Sequence, residues 1–277
     1  MKYFSRWVLL LLSAVGLSTS ACAKTQPQLT LDATPDAPVG FSYKTNWFAI
    51  KTDDTEAVLK LLSPVNPKAA NWISGIKAAY DPTYFDEKQY PIFITPPLDG
   101  WTFVVGSNLP YPYKTTEADV AAQKVNDNFF FILNQLSSKF SEVQFFGSYR
   151  VVGFEAWVKT TNGELVRAFS FADGTVYANM GAQTKEEKQL KFIDLSGLSP
   201  SEAESKIFNQ ADIDANKEEA AQLLKQPFDQ QTLGRVIPSE GDATDIAKLW
   251  SIDPTDLPAT YKIKSVGVVG FLPNPSF

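Results

Sequence analysis

The chain reads as an α+β protein, an antiparallel sheet with helices packed mainly on one face, followed by a helical C-terminal region. Three observations carry that reading. The run from Pro91 to Gly106, PIFITPPLDGWTFVVG, is strand, turn, strand, with short apolar β-branched and aromatic runs on either side of the turn. Residues 116–140 place apolar side chains at i, i+3, i+4 and i+7 for about six turns. Residues 142–178 alternate as successive strands punctuated by Asn-Gly and Asp-Gly. Neighbouring strands joined by such short turns pair antiparallel, because parallel pairing needs a long crossover after every strand.

The elements follow in order. Phe41 to Lys51 reads as a strand, with Tyr43, Trp47 and Ala49 on one face. Asp53 is placed to cap a helix, with Glu56 three residues on, and Val58, Leu61 and Leu62 form its stripe before Pro64 ends it. Lys68 to Tyr80 reads as a second helix carrying Trp72, Ile73, Ile76 and Ala79, stopped by Asp81-Pro82. In the hairpin, Pro96-Pro97-Leu98-Asp99-Gly100 is the turn, since proline fixes φ and glycine accepts positive φ. Leu109-Pro110-Tyr111-Pro112-Tyr113 is a rigid aromatic loop. Thr116 then caps the long helix, whose stripe includes Val125, Phe129, Ile132, Leu133, Leu136 and Phe140. Phe129-Phe130-Phe131 is core packing on this reading, because the stripe already accounts for Phe129.

The strand run follows. Glu142 to Phe146 is one strand, and Val151 to Lys159 alternates, with Val152, Phe154, Ala156 and Val158 on one face. Thr161-Asn162-Gly163 turns into Glu164 to Ala172, and Asp173-Gly174 turns into Thr175 to Ala178. A three-residue first turn would set Trp157 opposite Arg167 in a structural cation–π contact. From Gln183 the composition becomes helical and polar. Ser199 or Ser201 caps a helix to Phe208, Ala215 to Lys225 forms another, and Ser239 with Asp242 caps one through Trp250. Tyr261 to Leu272 is a final strand, weakened by Gly267 and Gly270.

This order gives four segments: a signal peptide over 1–23, a flexible tether over 24–39, an α+β domain over 40–182, and a mostly helical extension or small subdomain over 183–277. The first segment has a basic start at Lys2 and Arg6, an apolar stretch from Trp7 to Leu17 and a small-residue end, the three parts of a secretory signal. Cleavage fits after Ala23, at Ala21-Cys22-Ala23, or after Ala21. In the second case Thr19-Ser20-Ala21-Cys22 resembles a bacterial lipobox, departing at Thr19, where leucine is usual. That resemblance implies lipidation of Cys22 and a membrane anchor; the alternative is an incidental cysteine in a discarded peptide.

Composition excludes several chemistries. The 277 residues contain no histidine and one cysteine. Ser-His-Asp and Cys-His catalysis, histidine metal sites, an intrachain disulfide and a thiolate zinc cluster are therefore unavailable. The net charge is −6, and no basic block stands anywhere. Nucleic acid is not an expected partner, because phosphate neutralisation supplies most of that affinity. No cofactor is expected, since no G-x-G-x-x-G, Walker loop or G-x-S-x-G elbow is present.

The remaining candidates are sparse. Ser74 and Lys77 form an S-x-x-K, which puts an amine one turn from a serine nucleophile, but the partner motifs S-D-N and K-T-G are missing. Asp212, Asp214 and Asn216 begin like a calcium loop, yet Lys217 and Leu223 occupy the positions where that loop needs glycine and glutamate. Asp99 is exposed turn chemistry or a functional acid. Glu155 sits in a strand otherwise made of Val, Phe, Ala and Trp, where a raised pKa would suit an acid catalyst. The ordinary alternative for Glu155 is a water-facing side chain, or a pair with Arg150 or Arg167.

The hairpin, the stretch Glu142-Val-Gln-Phe-Phe-Gly-Ser-Tyr-Arg-Val-Val152, the positions Ala156-Trp157 and Arg167-Ala-Phe169, and Leu249-Trp-Ser-Ile-Asp-Pro254 together resemble a family of bacterial proteins with no established activity. The resemblance spans most of the chain after Gly40. It implies a recurring bacterial domain and carries over no catalytic or binding residue.

Three functions remain open. The preferred expectation is an exported, non-catalytic interaction module of the bacterial cell envelope, periplasmic or anchored at the outer membrane through Cys22, with an envelope protein as partner. One version is an immunity-type protein against a toxin acting in the periplasm. The alternatives are a histidine-free envelope hydrolase using carboxylates or Ser74 and Lys77, and a small-molecule-binding envelope module using Trp101, Trp157, Tyr111 and Tyr113.

Overall fold

A computed structural model describes residues 29–84, 88–113, 120–229 and 233–273. Residues 1–23, read above as a signal peptide and including Cys22, and Thr116, read as the cap of the long helix, lie outside those residues. Nine strands form one sheet: β1 (Thr45–Lys51), β2 (Val65–Asn71), β3 (Gln89–Ile94), β4 (Trp101–Gly106), β5 (Glu142–Tyr149), β6 (Phe154–Thr161), β7 (Glu164–Ala172), β8 (Thr175–Gly181) and β9 (Val266–Pro273). Their order is β2-β9-β3-β4-β1-β5-β6-β7-β8, and every pair is antiparallel.

Three short turns set much of the register. Asp99-Gly100, Asn162-Gly163 and Asp173-Gly174 all have positive φ at both residues, 46° and 81°, 50° and 83°, and 48° and 76°. That double left-handed geometry matches the twist of the strands it joins, and Asn or Asp followed by Gly adopts it at least cost. The Asn162 turn has two residues, setting Thr161 opposite Glu164 and Thr160 opposite Leu165, and a bulge between Lys159 and Thr160 then shifts the register by one, so Arg167 lies opposite Lys159 and Trp157 opposite Phe169. The expected pairing of Trp157 with Arg167 is thereby corrected; the guanidinium sits 5.4 Å from the Phe169 ring instead.

Among the described residues seven α-helices flank the sheet: α1 (Thr55–Leu62), α2 (Trp72–Tyr80), α3 (Val120–Lys139), α4 (Lys185–Gln189), α5 (Pro200–Leu223), α6 (Asp242–Trp250) and α7 (Leu257–Thr260). One sheet face buries Phe48, Ile50, Ile94, Val104, Phe145 and Val158 against Val58 of α1 and Phe129, Leu133 and Leu136 of α3. The other buries Trp47, Phe103, Phe146, Trp157 and Phe169 against Trp72 of α2, Ile207 of α5, and Ile246 and Trp250 of α6. The architecture is the expected α+β one, and the C-terminal helical region supplies cover for the second face. Strands covered on both sides have no need to alternate, which is why β4 is buried along its whole length.

Several local expectations change. Residues 65–71 pair with β9 rather than opening a helix. Asn71 starts α2 by accepting the Ser74 N–H at 3.0 Å, with Asp36 accepting from Trp72 at 2.6 Å and Ile73 at 3.0 Å. The α1 cap is Asp54, whose Oδ1 accepts from Ala57 at 2.8 Å, not Asp53. Ser199 caps a single α5, because the sequence through Leu223 holds no Gly or further Pro to break it. Residues 29–39, read as part of a tether, lie against the domain from Leu29 on: Leu29, Leu31 and Val39 pack on the core, and Asp32 accepts the Asn71 N–H at 2.6 Å. Gly75 allows α2 to rest on β3, since a Cβ there would collide with the Phe93 ring.

Candidate functional site

A cavity of about 760 Å³ opens at one end of the sheet, where β1 begins and β4, β5 and β7 end. Five of its sixteen described lining residues are tyrosines that the chain supplies separately. Tyr80 comes from the last turn of α2, Tyr111 and Tyr113 from the loop after β4, Tyr149 from the end of β5 and Tyr177 from β8. Phe154 of β6 completes the ring set. Lys44 and Asp173 are the charged residues among the described lining, one of each sign.

The loop after β4 is held at both ends. Asn46 Nδ2 donates to the Leu109 carbonyl at 2.7 Å, and the Tyr113 N–H donates to Asn126 Oδ1 at 3.2 Å. Pro110 and Pro112 fix φ between those anchors, so the two tyrosines alternate from a stiff backbone. Their rings pack in a chain. Tyr111 lies 4.7 Å from Phe154 and 5.7 Å, edge-on, from Tyr113, which stacks on Tyr177 at 4.5 Å.

The phenols of Tyr80, Tyr111 and Tyr177 are neutral at physiological pH. Burial, then the neighbouring Tyr113, pushes Tyr177 up to about 12. Burial raises Tyr111. Burial also takes Tyr80 up to about 12, against the opposing pull of the Ser42 N–H, which donates to its oxygen at 3.2 Å. The wall therefore offers apolar ring surface edged by uncharged hydroxyls, a pattern that suits ligands with both apolar and hydrogen-bonding surface.

Glu155 stands one hydrogen bond behind this wall. Its Oε1 lies 2.7 Å from Oγ of Ser148, a lining residue, and its Oε2 accepts the Ala243 N–H at 3.1 Å, in the first turn of α6. Burial raises its pKa to about 8, helped by Asp242 and Glu240 and opposed by the two hydrogen bonds. It pairs with neither Arg150 nor Arg167 and does not face water, being 1% exposed. It is a buried acid that holds its proton at neutral pH.

The other sequence candidates are dispersed. Ser74 Oγ accepts from the Asp32 N–H at 3.2 Å and lies 3.1 Å from the Asp32 carbonyl, so it fastens the N-terminal segment. Lys77 lines a separate open cleft, and no hydrogen bond joins it to Ser74 among the described residues. Asp99 accepts from the Tyr261 hydroxyl at 2.7 Å, beside Trp101. Asp212, Asp214 and Asn216 lie within continuous α5, where alternate residues point to different sides of the helix. Asp214 is taken by Gln210 at 2.9 Å and Lys217 at 3.2 Å. No group of three potential metal-binding His, Cys, Asp or Glu side chains exists among the described residues.

Trp157 is packed, not exposed to a ligand. Its indole N–H donates to Glu187 Oε1 at 3.0 Å, and Arg167 Nε donates to the same oxygen at 2.9 Å. Of the four aromatics singled out in the sequence, Tyr111 and Tyr113 line the cavity, whereas Trp101 and Trp157 do not. Tyr80, Tyr149, Phe154 and Tyr177 carry no such signal in the sequence: the first three stand at the ends of their elements and Tyr177 near the start of β8, positions that converge only once the sheet order is known.

Among the described residues no helix is long and apolar enough to cross a membrane. Comparison of the chain with family models, curated proteins and solved structures yields no match, so no relative assigns a role to any residue of this cavity.

Proposed function

We propose that this chain is an exported binding protein that holds a small organic molecule in the tyrosine cavity and performs no chemistry on it. The cavity lining carries the reading. Stiffly held, uncharged rings surround about 760 Å³, within the roughly 300–1,000 Å³ range of ligand sites. A wall fixed before binding loses little entropy when a ligand arrives. Export is supported by the three-part signal pattern over residues 1–23. The non-catalytic reading is supported by the isolation of Ser74 from Lys77 and by the burial of Glu155 among its own partners. The test is a small-molecule screen of the chain lacking residues 1–23, read by thermal shift and tyrosine fluorescence. Binders should stabilise the protein, and Tyr111→Ala or Tyr177→Ala should weaken them by roughly threefold to tenfold. A screen whose hits are all indifferent to both variants would retire the reading.

A second reading has one observation in its favour. Tyr149, Val151 and Val152 form an exposed corner beside the cavity, with Val151 68% exposed. An exposed apolar corner suits an envelope protein partner, the immunity-type version included. Affinity capture comparing the parent chain with Val151→Asp decides it: a partner retained equally by both does not use this corner.

A further inference from the structure

The cavity does not end at its own wall. Tyr80 also lines a second, open cleft of about 480 Å³, whose other residues include Phe41, Ser42, Tyr43, Ile76 and Lys77. The two spaces meet across one phenol ring, itself held by the Ser42 N–H. Tyr43 is 47% exposed on the cleft side, and Ser42 Oγ is buried with no hydrogen-bond partner. Tyr80 thus belongs to both linings: Tyr177, Tyr113 and Tyr111 stand with it in the first space, beside the polar side chains of Asn46, Ser107 and Asn108, and Tyr43 stands with it in the second.

We infer that these two spaces together bind a neutral oligosaccharide, with sugar rings seated on both sides of Tyr80. The inference rests on the tyrosine cavity being a ligand site. Three features select the class. First, the charged residues of the two linings are Lys44 and Asp173 in the first space and Lys77 in the second, a dispersed set with no cluster to neutralise a phosphate or polyanion and none to hold a polycation. Second, a sugar ring has an apolar face and a polar edge, and a wall of uncharged phenols edged by hydroxyls and amides complements both. Third, the groove begins at β1, which is already paired on both sides by β4 and β5. The one edge strand that reaches the groove, β8, sends in the Tyr177 side chain, and its Val176 N–H is already taken by Glu204 of α5 at 3.2 Å, so a peptide finds little free ladder to extend, the usual source of main-chain affinity in that mode. The two-part shape adds a length requirement: a ligand confined to the first cavity leaves the Tyr43 side empty.

The experiment is titration calorimetry of the chain lacking residues 1–23. The probes are cello- and chito-oligosaccharides of increasing length, alongside a basic peptide, a short fatty acid and tetramethylammonium. The oligosaccharides should bind, and affinity should rise with each added unit until both spaces are filled. Tyr177→Ala should weaken short and long sugars alike. Tyr43→Ala should leave the shortest binder unchanged and remove the gain from lengthening, roughly threefold to tenfold. A Tyr43→Phe variant keeps the ring and should retain that gain. If the peptide, fatty acid or ammonium ion binds in a Tyr177-dependent way and the sugars do not, the class is overturned while the cavity remains a ligand site. If sugars bind with no dependence on length or on Tyr43, the two-space arrangement is overturned. If nothing binds, and the small-molecule screen is also blank, both readings fall.

Discussion

Two buried carboxylates join the C-terminal helices to the same face of the sheet, and they are held in opposite ways. Glu187 is 2% exposed and meets a cation, with Arg167 Nε at 2.9 Å. Its Oε2 accepts the Thr184 N–H at 2.7 Å in a capping box at the start of α4. Arg167 is satisfied in turn by Asn179 Oδ1 at 2.7 Å and the Met180 carbonyl at 3.2 Å, and Asn179 Nδ2 donates to the Leu195 and Leu198 carbonyls at 2.8 Å each. Glu155 is 1% exposed and has donors but no cation; its nearest charges, Asp242 and Glu240, have its own sign. The neighbouring Arg235 is engaged by Asp242 and Asp245 instead. Equal burial thus produces an ion pair at one junction and a neutral acid at the other. The difference lies in whether a guanidinium arrives with the carboxylate, not in depth.

The largest break in that comparison is Arg167→Met. It leaves Glu187 buried without its cation and should cost about 3–5 kcal/mol, read as a lowered urea midpoint. Adding Glu187→Leu to that variant should recover much of the loss, and a double-mutant cycle would measure the coupling. The next effect is a pH dependence. Folding holds the Glu155 proton up to about pH 8, whereas the unfolded chain releases it near 4.5. The folded state therefore binds the extra proton between those values, and stability should fall as pH rises through that window and then level off. Glu155→Gln should flatten the slope while leaving the low-pH stability close to the parent's. Urea titrations across the window check this; an unchanged slope in the variant would mean another group is responsible.

Smaller steps sharpen the contrast. Asn179→Ala removes the group linking Arg167 to two loop carbonyls and should cost about 1–3 kcal/mol. Trp157→Phe keeps an aromatic ring but loses the indole donor to Glu187 and part of the buried volume, with an expected cost of about 1–3 kcal/mol in thermal unfolding. Lys185→Ala removes the pairing to Glu186 at 3.6 Å, but the lysine is 90% exposed. Its effect should stay within the scatter of the measurement, as for most surface ion pairs.

How much of this was legible in the sequence depends on how far the information lies from the residue. The Asp99, Asn162 and Asp173 turns were legible because two adjacent residues determine their geometry. The stripe of α3 was legible because its period is local, and it correctly placed Phe129 in the core. Residues 65–71 were not. Lys68-Ala69-Ala70 favours helix by propensity, but its hydrogen-bond partners are on β9, about two hundred residues on. The same limit applied to the cavity. Tyr111 and Tyr113 stood out because prolines bracket them, whereas Tyr80 and Tyr177 come into place only through the fold. Glu155 was conspicuous as an acid among apolar neighbours; that no cation would reach it could not be read from β6 alone.

The sheet order bears on timing. Of the nine strands β9 is synthesised latest, yet its place is between β2 and β3, not at an edge. A nascent chain that has produced eight strands still has a vacant slot, with two unsatisfied ladders facing it. Closure must wait for a contact spanning most of the polypeptide, the kind that makes folding slow. Were the chain threaded unfolded through a membrane pore, as the export proposal requires, that wait would be useful: the topology delays closure of the sheet until β9 has been made. The same delay leaves two open ladders exposed in any chain truncated before Val266, and such a fragment should aggregate rather than persist as a smaller domain.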